Sequence, residues 1–435
     1  MDATSDYIAD FSAFISASPS SYHAAAEVAR RLDLAGFTRL AEAANWDTIG
    51  AATGYYVVRD GAVIAWSQPV DATGTTPFRI LGAHTDSPGF KLKPKPTIGA
   101  HGWLQAGVEV YGGPLQNSWL DRELELAGRL VTRDGREYLV RTGPYFRIPQ
   151  LAVHLDRDVN NGLTLDRQRH LTPVFGVGNA AEADLVAHLA ALAGVSATDV
   201  AGYDMFTVDT NPPAIFGLGN ELFAAARLDN LSSVYAGLCA LITTSAQSTE
   251  MQQISVLAAF DHEEIGSESR SGASGPLLDD ILARIGHGLG ATGSERLQAY
   301  AESWCLSADA GHAVHPNYPE RHDPANLPIC GGGPLLKINA NQRYATDAHG
   351  AALWARCCAE ANVNYQEFVS NNTVPCGSTI GPLTATRLGI RVVDVGVPLL
   401  SMHSARELCH VSDPPALSAA IAAFFAPTVS GDHSA

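Results

Sequence analysis

The sequence predicts an α/β protein: a mixed sheet flanked by helices, interrupted in its middle by a β-rich insertion. Two observations carry this. Short apolar runs that read as buried strands (Phe78–Ala83, Ile254–Phe260, Trp304–Ala308, Leu335–Ala340 and Gly389–Val397) alternate with helical segments toward both ends of the chain, and such alternation argues for a sheet covered by helices on both faces. Between Pro88 and about residue 175, helical periodicity all but disappears. One unit is therefore expected in residues 1–87 and 220–435, and an inserted β-rich unit in residues 88–219.

Each element has its own reason. Tyr7, Ile8, Phe11, Phe14 and Ile15 share one helical face. A second helix is predicted from about Ser21 to Leu34, with Gly36 just past its end, where a left-handed residue commonly closes a helix. In the insertion, Leu124, Leu126 and Leu130 lie in alternating segments, and Asp134-Gly135 reads as a hairpin turn between Leu130–Thr132 and Tyr138–Arg141. A helix near Ala181–Leu192 belongs to the insertion or closes it, and Leu231–Thr243 is helical.

Composition excludes several classes of function. The 435 residues are 46% hydrophobic and 17% charged, values of an ordinary folded protein rather than a disordered one. A formal charge of −17 disfavours nucleic acid and anionic membrane surfaces as partners. No apolar run approaches the roughly 18 residues of a membrane span. The acidic start Met1-Asp2-Ala3-Thr4-Ser5-Asp6 lacks the basic residues of a signal peptide. Seven cysteines, an odd number without a Cys-x-x-Cys pair, point to reduced thiols and a cytoplasmic protein, not to a disulfide framework or a thiolate zinc site.

The chemistry gathers at a few places. Glu263-Glu264 follows the apolar run Ile254–Phe260 within an acidic cluster completed by Asp261 and Glu268. Carboxylates beside a core need a cation, a proton or several hydrogen bonds. His84 and Asp309 also follow apolar strands, His403 follows Gly389–Val397 by a short loop, and Asp229 precedes a helix. Ligands of open α/β sheets gather beyond the carboxyl ends of the strands, so residues distant in sequence have a reason to converge. Imidazole and carboxylate donors suit catalytic zinc. Two divalent ions, three carboxylates (Asp229, Glu264, Asp309) and one hydroxide sum to zero charge, which leaves Glu263 free to move protons. Asp86 is close enough in sequence to receive the second ring N–H of His84. Each residue also has a plainer reading: a structural histidine, a helix cap at Asp229, a turn at Asp309-Ala310-Gly311, an exposed loop at His403. The joint pattern is what argues for a dinuclear metal centre.

These segments together resemble the M18 metallopeptidase family, the aspartyl aminopeptidases. The resemblance rests on Gly82-Ala83-His84-Thr85-Asp86-Ser87-Pro88-Gly89-Phe90, Arg227-Leu228-Asp229-Asn230, Asp261–Ser267, the stretch Ser307–Tyr318 and Ser401-Met402-His403-Ser404-Ala405-Arg406-Glu407, in the family's order. It implies a zinc-peptidase-like fold, two Zn²⁺ (with Co²⁺ or Mn²⁺ as alternatives at one site) and a division of roles. His84 and Asp309 would hold one metal, Glu264 and His403 the other, and Asp229 would bridge them. Glu263 would be the general base, with Asp86 orienting His84. By the similar stretch Gly333–Thr346, Lys337 would pair with an acidic substrate side chain and Tyr344 would line the site; apart from the resemblance, Lys337 reads as a snorkelling surface lysine. His154 matches a histidine that reaches a neighbouring subunit's site, and otherwise reads as a surface strand residue. The resemblance further implies peptide substrates with acidic N-termini, a cytoplasmic homo-oligomer (commonly a tetrahedral dodecamer of dimers) and a dimerisation role for the insertion.

Two competing functions remain at this level: a dinuclear peptidase or deacylase of other specificity, and a binding or scaffold protein of the same fold that has lost its metals. The second should lack several ligands or the base, whereas all six of His84, Asp229, Glu263, Glu264, Asp309 and His403 are present.

Overall fold

Ile254–Phe260 is buried at all seven positions, as a strand sandwiched between two helical layers must be. In this computed structural model, which describes residues 3–46, 54–246 and 251–426, the strand lies in a nine-stranded sheet. Its order among the described residues is Thr38–Arg39, Gly54–Arg59, Ala62–Ser67, Ile254–Phe260, Phe78–His84, Trp304–Ala308, Arg391–Gly396, Leu335–Lys337 and Gln366–Phe368. The central four strands run parallel. Antiparallel pairings of Ala62–Ser67 and Leu335–Lys337 on either side make the sheet mixed, as expected. Register aligns Phe260 with His84, Ser307 with Gly82 and Ala308 with Val395, so the carboxyl ends of all four emerge at one edge.

Alternation along each strand divides the core in two. Leu81, Leu257, Leu306 and Val393 pack against Leu231, Val234, Leu238, Trp354, Leu417 and Ile421 from one helical layer. Ile80, Val256, Cys305 and Val392 pack against Leu277, Ile281, Ile285 and Ile380 from the other. The helix Leu228–Ser245 approaches the sheet so closely at Gly237 that a Cβ there would run into Leu81. Truncating a buried leucine in such a layer costs about 2–5 kcal/mol.

A second sheet, wholly antiparallel, occupies the middle of the chain in the order Glu137–Arg141, Leu124–Thr132, Val200–Asp209, Gly89–Ala100, Trp103–Tyr111 and Val174–Val177. It has its own core, in which Phe90, Leu126, Leu130 and Met205 meet Leu185 and Leu189. A small third sheet pairs Leu222–Ala225 with Ala214–Phe216 and with Glu407–His410.

Several expected boundaries hold and several shift for local reasons. The second helix runs Ser21–Leu34, opened by Ser20 Oγ accepting from His23 N (3.4 Å) and followed by Gly36 at φ +83. The expected helix at Ala181–Leu192 begins only at Leu185, because the Asp184 carboxylate caps it by accepting from Ala187 N (2.9 Å). Gly389, at φ +66, closes the helix Ile380–Leu388, so the last parallel strand starts at Arg391 rather than Gly389. The Leu335 strand ends at Lys337, short of Ala340. Met1 and Asp2 of the acidic start lie outside the described residues. Among those described, no helix is long and apolar enough to cross a membrane, and all seven cysteines are free thiols.

Candidate metal centre

Beyond the carboxyl edge of the parallel strands, five segments meet. His84 is the last residue of its strand, and Asp309 directly follows Trp304–Ala308. Glu263 and Glu264 open a single 3₁₀ turn after Ile254–Phe260, entered through His262 at φ +64. Asp229 lies in the first turn of Leu228–Ser245. It does not act as the cap that its position allowed: the cap position is Arg227, which makes no side-chain capping bond. His403 sits at φ +65 in the tip of a hairpin closed by mutual backbone bonds of Leu400 and Leu408 (2.9 and 3.1 Å).

Asp229 stands at the middle. Its Oδ1 is 3.3 Å from His84 Nε2 and its Oδ2 is 3.5 Å from His403 Nε2. On the His84 side, Nε2 also faces Asp309 Oδ1 at 3.5 Å and Glu263 Oε2 at 3.9 Å. On the His403 side, Nε2 faces Glu264 Oε2 at 3.4 Å. Donor atoms of His84, Asp229 and Glu264 fall within 4.8 Å of one another, close enough to share a cation. Among the described residues, Asp229 Oδ1 and Glu264 Oε1 are buried without a hydrogen-bond partner of adequate geometry; the 3.3 Å approach of His84 is an ion-pair distance, not such a bond. Orphaned carboxylate oxygens at this depth are expensive unless a cation meets them.

The protonation balance agrees. Burial opposes charge on both imidazoles, but the Asp229 carboxylate and the other nearby acids outweigh it, pushing His403 up to about 10 and His84 well above the ordinary histidine value. Burial raises Glu263 to about 8 and lifts Glu264 well above the ordinary glutamate value, with neighbouring carboxylates adding to the effect. Burial also works against the Asp229 carboxylate, yet His403 and His84 hold it well below the usual range. The surroundings thus favour protons on the two histidines and the two glutamates and an ionised Asp229. The two histidines and the carboxylates are a donor set that zinc would take over by displacing those protons.

The surrounding groups are more specific than the sequence showed. The Asp86 carbonyl lies 3.1 Å from His84 Nδ1 and its carboxylate 3.4 Å away. That carboxylate chiefly accepts the backbone N–H groups of Glu263 (3.0 Å) and Glu264 (3.1 Å) and the hydroxyl of Tyr111 (2.8 Å). His403 Nδ1 meets the Gly113 carbonyl at 3.0 Å. Tyr111 ends a strand of the antiparallel sheet, and Gly112, at φ +67, brings the chain so near that a Cβ would sit 3.2 Å from Glu264 Cβ. Arg227, half-buried, donates to the carbonyls of Ser18 and Thr85. Tyr111 and Gly113 have no signature in the local sequence; for Arg227 and Glu407 the one hint is membership in the segments around Asp229 and His403.

Lys337 is not at the surface, and the snorkelling reading is overturned: it is 1% exposed. Its ammonium donates to Ala310 O (2.7 Å) and lies 5.3 Å above the Tyr344 ring. It forms no ion pair among the described residues; Asp394, its neighbour in register, directs its carboxylate to Thr379 Oγ1 (2.5 Å) and Ala345 N (2.6 Å). Tyr344 is buried against Leu335 and Phe368. A cavity of about 260 Å³ runs from Tyr344 and Phe368 past His312 to Met402, next to His403. His154 lies in an exposed turn rather than a strand, and no hydrogen bond or ion pair joins it to the cluster among the described residues.

Imidazole and carboxylate donors at the carboxyl edge of a parallel sheet define a metallohydrolase type of site. The family model described as aminopeptidase I zinc metalloprotease (M18) matches residues 14–425, and the chain belongs to that family of aminopeptidases. It is 54% identical over 418 residues to a probable M18 family aminopeptidase 2 of Streptomyces avermitilis, covering 95% of this chain and 96% of that one. Among solved structures, a chain in the Ape4 and Nbr1 complex matches with a TM-score of 0.94 at 35% identity, over 97% of this chain and 86% of that one. The S. cerevisiae mApe1 dodecamer matches at 0.85 and 28% identity, over 97% and 96%.

Proposed function

We propose that this aminopeptidase is a dinuclear zinc enzyme that removes N-terminal Asp or Glu from peptides. The observation that carries the reading is Asp229, whose two oxygens each face a different histidine, at 3.3 and 3.5 Å. His84 and Asp309 would hold one zinc, Glu264 and His403 the other, with Asp229 shared; cobalt or manganese are alternatives at one site. Zinc bound there supplies Lewis acidity and lowers the pKa of water toward about 7. The rest is done by the chain. Glu263, whose Oε2 faces the interior of the cluster, takes a proton from the attacking water and returns it to the leaving amine nitrogen. Asp86 fixes the turn carrying both glutamates through their amides. The free α-amine of the substrate is received by the carboxylates of the cluster, which limits cleavage to the first residue.

Lys337 and Tyr344 set specificity. A buried ammonium with one carbonyl acceptor and no ion pair among the described residues is poorly compensated, and a substrate side-chain carboxylate supplies what it lacks. The overall charge of −17 is little obstacle, because surface acids are screened over about 8 Å at physiological salt.

The division into a catalytic unit, 1–87 and 220–435, and an inserted dimerisation unit, 88–219, is supported by the separate cores of the two sheets. The loop that bears His154 exposes Leu151, Val153 and Leu155, which suits contact with a second copy. His154 then acts at the partner's site, in a homo-oligomer that, like the yeast mApe1 relative, is a dodecamer, with tetrahedral symmetry. Free thiols suit a cytoplasmic setting.

The test is a panel of peptides with N-terminal Asp, Glu, Leu or Lys, and N-acetyl-Asp, assayed after chelation and readdition of zinc, cobalt or manganese. Metal-dependent cleavage of the Asp and Glu peptides alone is expected. Equal cleavage of Leu peptides removes the specificity, and cleavage of N-acetyl-Asp removes the amine requirement.

A further inference from the structure

Two backbone N–H groups that belong to the ligand-bearing segments point at one carboxylate. Glu407 Oε2 accepts from Asp229 N (2.9 Å) and Glu407 Oε1 accepts from His403 N (2.7 Å). The residue is 2% exposed. Its position is set from two directions. In register it pairs with Ala225, four residues before Asp229. It also stands at the base of the hairpin whose tip carries His403, beside the Leu400–Leu408 bridge. The amide of Asp229 lies in the first turn of its helix, where N–H groups have no partner within the helix. Arg227, at the cap position, supplies none, and Glu407 does so from another element.

We infer that Glu407 is a positioning residue: one carboxylate clamps the helix start bearing Asp229 to the hairpin tip bearing His403 and so sets the spacing of the donors. This rests on the reading of Asp229 and His403 as metal ligands. A carboxylate is needed because both of its oxygens must accept. Glutamine offers one acceptor and turns an N–H₂ toward a backbone donor. Asp86 performs the matching task on the other side of the cluster, where it holds the amides of Glu263 and Glu264. The four amides thus hold the segments bearing Asp229, His403, Glu263 and Glu264 without touching a donor atom.

The test is competition for zinc between the full-length protein and a chelator, with wild type, Glu407→Gln and Asp229→Asn run side by side. Groups that orient metal ligands typically change affinity by about 10–100-fold when altered. Glu407→Gln is expected to bind zinc about 10–100-fold more weakly, to lose kcat with KM unchanged at limiting zinc, and to regain kcat as zinc is added. A purely structural role would lower the melting temperature and leave zinc affinity alone. Zinc affinity within about twofold of wild type in Glu407→Gln, while Asp229→Asn loses zinc, overturns the clamp alone. Retention of zinc by both variants overturns the ligand reading and the clamp with it. Hydrogen exchange in the unaltered, metal-free protein gives a check that does not depend on a variant folding: the amides of Asp229 and His403 should exchange slowly, and fast exchange at either overturns the clamp.

Discussion

The two sides of the cluster are built from different materials. His84, with a side chain 2% exposed, ends a central strand, and the neighbouring Asp86 carbonyl holds its ring. His403, 32% exposed, rides on a hairpin tip, and its ring is held by Gly113, from the loop after Trp103–Tyr111 in the other sheet. One side inherits its precision from the register of four parallel strands. The other depends on contacts between elements that share neither a sheet nor a stretch of sequence. A site of this kind should be tight and slow on the strand side and adjustable on the hairpin side, where the antiparallel sheet can influence the chemistry directly.

The strongest way to break the comparison is at the adjacent glutamates. On the proposed assignment, Glu263→Gln should lower kcat by about 10²–10⁴-fold while zinc is retained, whereas Glu264→Gln should lose zinc from the His403 side. Metal analysis beside kinetics distinguishes them, and equal zinc loss in both variants would show that the assigned division of labour is wrong. Next in size, Lys337→Ala should reduce kcat/KM for Asp-peptides by about 10–100-fold, the worth of a hydrogen bond to a charged group. Neutral peptides should be nearly unaffected.

Tyr111→Phe sharpens the comparison from the far sheet. It removes the 2.8 Å bond to Asp86 and should weaken zinc binding or activity by about tenfold; no change would mean that the antiparallel sheet merely covers the site. Time-resolved chelation should be biphasic, with the faster phase belonging to the exposed His403 side and disappearing in His403→Ala.

The smallest effect concerns the junction of the two regions. Burial, with Arg141 and Arg227 nearby, lowers His23 to about 4, so the folded protein keeps it neutral while the unfolded chain takes up a proton near pH 6.5. The unfolded state therefore binds more protons between these values, and stability falls as pH drops through that window. From pH 6.5 to 5.5 the loss is about 1 kcal/mol. Denaturant melts of His23→Gln against wild type should show that slope flattened.

Much of the site was readable before folding. Ile254–Phe260 and Trp304–Ala308 are strands with the limits their apolar runs suggested, because a strand buried on both faces must be continuously apolar and chemistry can begin only where it stops. That placed His84, Glu263, Glu264 and Asp309 at strand ends, and the parallel sheet then had one edge at which to collect them. Lys337 resisted the same logic. Its three-residue strand is too short to show a pattern, and a lysine reads alike in sequence whether its head reaches water or lies beneath Gly311.

Tyr111, Gly113 and Glu407 mark the boundary between the two kinds of information. Residue type and apolar pattern determined which donors exist and which strands deliver them, since both are local properties of the chain. The register of Glu407 on Ala225 and the approach of the Gly113 carbonyl to His403, across 290 positions of sequence, came only with the tertiary structure. Backbone amides and carbonyls are chemically the same at every position, so which of them orient a site depends on where packing sets them.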